Sequence, residues 1–388
     1  MIYLDNSTAA KPSERAISAM MPYYNRHWGV PSAPHQKGQE LYPQLTKFYQ
    51  AIYALIGAKE SDNVIITSSS TEAVNHVISS VHRDVTLATG KNQFLTSKID
   101  EAPAILTISH LEPFSCFGKS IEVNGEGIIT ADALADKLSP RTALVSLSWV
   151  NGLTGVIQPV QEIAALCKQR GVRFHLEATH ALGKIDFDLN DIDPDYLTFN
   201  GNQLHASHGT GVLFIKQGIK CSPFIYGGSD QAGLRAGSLN MAGLASLATA
   251  AEEAIDAIDL LCTETARLRN RLEEGVLKGF PTAKICFKNQ ERVPHCSTIA
   301  FPGISNEALL FLLNRKGLCA SIGGGNFQQL ALILSACGID EKTAHGAVSF
   351  SLSRETTDDE IDRAIDIITQ SAQMLSQLSE PFFREIEV

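Results

Sequence analysis

The chain has 388 residues, of which 44% are hydrophobic and 19% charged, and its formal net charge is −10 at pH 7. That length accommodates two domains and an ordinary buried core. The acidic balance, with no lysine/arginine run, argues against nucleic acid and anionic membranes as partners, and no apolar run reaches the roughly 18 residues of a membrane span.

The N-terminus reads directly as a strand, Ile2-Tyr3-Leu4, without the basic flank and apolar stretch of a secretory leader. The cytoplasm is therefore the expected location. Further strands are expected at Val64–Thr67, Gln93–Thr96, Ala143–Val150, Arg173–Ala178, Tyr196–Phe199 and Gly211–Ile215. Helical patterns lie between several of them, such as Val160–Arg170. This alternation predicts an α/β sheet of mostly parallel strands, with ligands bound in the crevice at the strands' carboxyl ends. From about Met241 to Glu274 the chain is rich in Ala, Leu and Glu and reads as a long helical connection to a second domain. That domain mixes strands such as Ser297–Phe301 with helices. Its last helix begins near Thr357, with Asp358, Asp359 and Glu360 placed to suit the helix dipole.

Eight cysteines are scattered: Cys116, Cys167, Cys221, Cys262, Cys286, Cys296, Cys319 and Cys337. None makes a C-x-x-C pair, so reduced core residues are expected rather than a disulfide framework or a zinc site. His205-Ala-Ser-His208 has no evident third ligand and reads as a polar loop, so no metal is expected.

Two segments suggest chemistry. Val64 to Glu72 is a strand, a hydroxyl cluster and a helix start, which reads as a helix cap or as an anion site. Phe174 to His180 ends a strand with Glu177, whose carboxylate faces the crevice to hold a cationic ring nitrogen or to make a salt bridge. Gly323-Gly-Gly325 marks a mobile or tight loop; no P-loop lysine follows it.

Seven segments in order carry a resemblance. They are Ile2 to Thr8 (IYLDNST), Pro31-Ser32 with His35 and Gly38, and Thr67 to Asn75 (TSSSTEAVN). Val150-Asn151 with Gly155 to Gln158, His175 to Lys184 (HLEATHALGK), Gly227 to Asn240 (GGSDQAGLRAGSLN) and Ser351 to Asp362 (SLSRETTDDEID) follow. Together they resemble the NifS/IscS-type cysteine desulfurases, pyridoxal phosphate (PLP) enzymes of the class-V aminotransferase type. The resemblance implies a large α/β domain over 14–255 with a mixed, mostly parallel seven-stranded sheet. It also implies a smaller α+β domain from 1–13 and 256–388, and a homodimer with sites at the interface.

The functional positions differ from the family pattern. Gln203 stands where the family has the PLP lysine, and Asn326 where it has the catalytic cysteine. Asn200 and Asn202 replace the serine and histidine near the phosphate, and Glu101 replaces the histidine that stacks on the ring. Glu177 takes the place of the ring-nitrogen aspartate, His180 of a glutamine, Gly152 of an asparagine, and Ser349 of the arginine that grips the substrate carboxylate. Asn151, Thr71 and Arg235 match, and Ser238 conservatively replaces a threonine that reaches across the dimer. An amide nitrogen has a delocalised lone pair and forms no imine.

The expectation is a catalytically inactive desulfurase homologue with no cofactor. It acts by binding: as a homodimer, or with an active desulfurase paralogue or a sulfur-transfer protein, regulating sulfur transfer or iron–sulfur assembly. The alternatives are different chemistry, with Glu101, Glu177 and His180 as acid/base groups, or ordinary PLP-dependent desulfuration of L-cysteine.

Overall fold

The computed structural model describes residues 1–384. In chain order the strands are β1 (Ile2–Tyr3), β2 (Asn63–Thr67), β3 (Gln93–Ser97), β4 (Phe117–Ile121), β5 (Thr142–Ser148) and β6 (Arg173–Glu177). They continue with β7 (Tyr196–Asn200), β8 (Gly211–Ile215), β9 (Lys284–Ile285), β10 (Cys296–Ala300), β11 (Leu318–Cys319) and β12 (Ala347–Ser351). The principal helices are α1 (Ser70–Val81), α2 (Ala102–His110), α3 (Val160–Gln169), α4 (Met241–Asp256), α5 (Ala266–Gly279), α6 (Leu330–Ala336) and α7 (Asp358–Arg384).

Seven strands form one sheet in the order β2-β8-β7-β6-β5-β3-β4. β8 runs antiparallel to both of its neighbours, and the other pairings are parallel. Every residue of β5 is buried, as expected of a strand covered by helices on both faces. The expected strands are all present, with ends moved by at most two residues. Of the seven strands in this sheet, the one missing from the sequence reading is β4, FGKSI, at the sheet edge. Its first three residues are exposed, so it has no apolar alternation to announce it, and pairing with β3 makes it a strand.

The long helical connection is broken. α4 ends at Asp256 with Ala257 as its C-cap, a π-turn occupies Leu261–Thr265, and α5 follows. No glycine or proline marks this break. α4 is apolar nearly all round and buried along most of its length, whereas α5 buries only one face. Leu268, Leu272 and Val276 of α5 join Ile299, Phe350 and, from α7, Ile361 in a second core under the three-stranded sheet β12-β10-β9. β1 pairs with β11 beside it, so the first residues of the chain belong with the last hundred.

β2, β3, β5, β6 and β7 all end at the same sheet edge. The turns that follow carry Ser68 to Thr71, Asp100-Glu101, Asn151-Gly152, Ala178 to His180, and Gly201 to Gln203. The crevice outside the carboxyl ends of an open α/β sheet is where this architecture binds ligands. Among the described residues no helix is long and apolar enough to cross a membrane, and no group of three or more His, Cys, Asp or Glu side chains is placed to hold a metal ion.

Candidate functional site

The crevice is organised by a buried carboxylate that sequence reasoning passed over. Asp100 Oδ2 accepts from Thr96 Oγ1 at 2.7 Å and Ser97 N at 2.6 Å, and its Oδ1 accepts from Ser148 N at 2.8 Å. It therefore ties the ends of β3 and β5 together and fixes the next residue, Glu101, at the start of α2. Glu101 Oε1 lies 3.1 Å from His180 Nε2. Across the crevice, Glu177 Oε1 accepts from the amide of Thr179 at 3.2 Å and also from its hydroxyl. That hydroxyl in turn accepts from Asn200 N at 3.1 Å, which joins the ends of β6 and β7.

Two atoms in this cluster, Glu177 Oε2 and His180 Nδ1, are buried with no hydrogen-bond partner in the protein. Such atoms are uncommon in native structures and point to a ligand or an ordered water. Burial, with help from the charge of Asp100, pushes the Glu101 carboxyl up to about 8. Burial, then the Glu101 charge, pushes Glu177 to about 8, against the opposing pull of His180. Burial lowers the His180 imidazole to about 4. Lys184, absent from the sequence-level candidates, donates to Thr179 O at 3.3 Å and is lowered by burial to about 8, with Glu177 pulling the other way. Burial thus disfavours a full negative charge on either acid.

At the phosphate end, Ser69 caps α1 and Ser70 N donates to Asn200 Oδ1 at 3.0 Å. Asn200 is thereby joined to the turn that carries Thr71. Arg235 is not free in the crevice: its Nε and Nη2 meet both oxygens of Glu72 at 3.0 and 3.3 Å. Ser238 is exposed on the 230s loop.

The remaining positions are structurally engaged. Gln203 Nε2 donates to Ser7 O at 3.2 Å and Thr8 O at 2.9 Å, which fastens the N-terminal segment. Asn202 gives its carbonyl to Ala10 N. Asn151 Oδ1 accepts from Leu153 N, Thr154 N and Thr154 Oγ1, while its Nδ2 donates to Ile99 O, so this side chain builds the turn. Ser349 is buried and donates to Leu153 O at 2.6 Å. Asn326 is exposed, and its carbonyl accepts from Ala102 N. Its neighbour Phe327, which sequence reasoning did not single out, packs on His180 with ring centroids 5.4 Å apart. The only signal for it was the glycine run that precedes it.

The chain matches the class-V aminotransferase family over residues 2–364. It is 35% identical to a cysteine desulfurase of Gluconacetobacter diazotrophicus, covering 98% of this chain and 96% of that one. It is 33% identical to the cysteine desulfurase NifS of Azotobacter vinelandii, covering 97% and 94%. Among solved structures, a NifS-like protein superposes with a TM-score of 0.90 at 26% identity, covering 96% of this chain and all of that one. A NifS-like protein from Rickettsia africae has the same fold, with a TM-score of 0.85 at 23% identity.

These relatives overturn the expectation that no cofactor is carried, because cysteine desulfurases use PLP. The residues present fit the group at two of its contacts. Glu177 keeps an unpartnered carboxyl oxygen at the ring-nitrogen position, and Thr71 stands in the first turn of a 12-residue helix whose N-terminus suits a phosphate. When bound, PLP supplies an electron-withdrawing ring; the side chain at position 203 is an amide. On the family match and on full-length identity of a third to these desulfurases, the chain belongs to the class-V aminotransferase family.

Proposed function

We propose that this protein acts by binding, within cytoplasmic sulfur transfer or iron–sulfur assembly, and does not release sulfur from cysteine. The observation that carries this reading is the anchored amide of Gln203, which holds Ser7 and Thr8 where the family keeps its lysine. Two further features support it. Asn326 offers no thiolate at the cysteine position, and Ser349 spends its hydroxyl on Leu153 O where an arginine would grip a carboxylate. Incubation with L-cysteine and PLP is expected to give no sulfide above a protein-free control. Steady multiple-turnover release of sulfide overturns the reading.

The working form is a homodimer, or a pair with an active desulfurase paralogue or a sulfur-transfer protein. Tyr24, Trp28 and Tyr226 are 63%, 64% and 67% exposed, and large exposed aromatics of this kind favour a partner surface. Light scattering is expected to give twice the chain mass at micromolar concentration without added ligand. A monomer mass throughout that range speaks against self-association.

A further inference from the structure

Lys184 lies in the turn after β6 and is only 8% exposed, yet among the described residues no carboxylate pairs with it. Its one hydrogen bond goes to Thr179 O, at 3.3 Å. Buried ammonium groups are ordinarily paired, and one without a counter-charge is driven toward the neutral amine. A desolvated lysine of this kind is a nucleophile for carbonyl carbon. Glu177, His180, His205 and His295 are the titratable groups coupled to its charge, and of these only Glu177 favours the ammonium form.

Two voids meet at this side chain. One is a cavity of about 30 Å³, room for a water-sized group, lined also by Gln203, His205, His295 and Arg354. His295 is 3% exposed and Gln203 7%, and neither His295 Nδ1 nor Gln203 Oε1 has a partner in the protein. Unpartnered atoms of this kind around a polar cavity point to a ligand. The other void is an open cleft of about 750 Å³ between the start of α3, residues 184–192, α5 and residues 291–294. Trp149 and Phe187 line it, edge to face with ring centroids 4.9 Å apart. Glu101, Glu177 and His180 do not line it, so it is an approach to Lys184 separate from the crevice. Its rim carries Glu162, Asp186, Asp188, Asp191 and Glu291, all exposed and, among the described residues, none in an ion pair. Against them stand Arg269 and Arg292, the latter already paired with Glu273. Such a rim repels anions and leaves uncharged solutes free to enter.

We propose that Lys184 is an imine-forming lysine that takes small uncharged aldehydes from the cleft, with His295 as its proton carrier. The amine attacks the carbonyl carbon. His295 Nδ1 takes the proton that the nitrogen sheds and gives it to the departing hydroxyl. The C=N bond forms as one water leaves, so amine and aldehyde yield imine and water with no oxidant or reductant. The site lies off the crevice and stands apart from the question of sulfide release.

The test is reductive trapping at pH 7.5. The intact chain is treated with acetaldehyde and cyanoborohydride, and adducts are located by peptide mass spectrometry, with exposed Lys47 and Lys316 as references. Burial lowers Lys184 to about 8, so roughly a quarter of it is neutral at that pH, against about one in a thousand of an ordinary lysine. Lys184 is expected to label about tenfold or more ahead of both references. Glyoxylate, an aldehyde that carries a carboxylate, is expected to narrow that lead severalfold. His295→Leu is expected to slow Lys184 labelling about tenfold or more, the usual cost of losing a positioned proton carrier, and to leave the references unchanged. Lys184 reacting no faster than the references in the native protein, or only once urea has unfolded it, overturns the proposal, and that measurement needs no variant. An undiminished lead with glyoxylate overturns entry past the acidic rim. Unchanged labelling in folded His295→Leu protein overturns the role of His295.

Discussion

Replacing Glu273 with alanine is expected to destabilise the protein by about 3–5 kcal/mol, the usual cost of stripping one partner from a buried ion pair. Glu273 projects from α5 with its side chain 3% exposed, and Arg292 opposite it is 4% exposed. Glu273 Oε1 accepts from Arg292 Nη1 at 3.0 Å and from Ser297 Oγ, on β10, at 2.7 Å. Arg292 also bridges by its backbone to Val156, in the loop after β5. One carboxylate therefore joins the second core to the segment that shapes the crevice. Alanine leaves the guanidinium buried without a counter-charge, whereas Glu273→Gln keeps an acceptor and should cost less. Urea unfolding of the three proteins gives the order directly. A loss below about 1 kcal/mol for the alanine variant would mean that the guanidinium finds water or another acceptor.

Much of the fold was legible because the signals were local. Continuous apolar runs gave the buried strands, and the flanking turns gave the crevice edge. β4 was not legible because its exposed residues carry no pattern, and the break after α4 has no glycine or proline to mark it. The site divides in the same way. Glu101, Glu177 and His180 were readable as residues that depart from a family pattern, and the structure brings them into one cluster. Asp100 was not readable: its role depends on amides from two strands, which no spacing along the chain reveals. Gln328 lies more than two hundred residues from the carbonyls of Lys98 and Asp100 that it meets, and Phe327 is likewise distant in sequence from His180, so only the folded chain shows these contacts. The expected absence of a cofactor failed for a different reason. Loss of a covalent attachment point says nothing about the other contacts, and Glu177 still offers one.

The crevice acids should also shape stability against pH. Glu101 and Glu177 are held near 8 in the folded protein, largely by burial, against about 4.3 for an unperturbed glutamate. The folded state therefore binds more protons than the unfolded state between those values, and stability falls as pH rises through 8. His180, near 4, and His175, near 3, act in the opposite sense: the unfolded chain takes up their protons below about 6.5, so their contribution is lost as pH falls. Lys184, near 8 instead of 10.5, binds fewer protons in the folded state between those values and restores stability only above pH 8. Between pH 6.5 and 8 the two glutamates dominate this cluster. Its slope there should cost about 2–3 kcal/mol, given 1.36 kcal/mol per pKa unit and partial coupling of the pair. Urea midpoints measured at pH 6.5 and pH 8.0 should differ accordingly in the wild type. Glu101→Gln with Glu177→Gln keeps polar side chains and removes both titrations, so most of that difference should vanish. If the double variant loses as much stability as the wild type over this interval, the proton release lies elsewhere and the crevice acids are already ionised at pH 6.5.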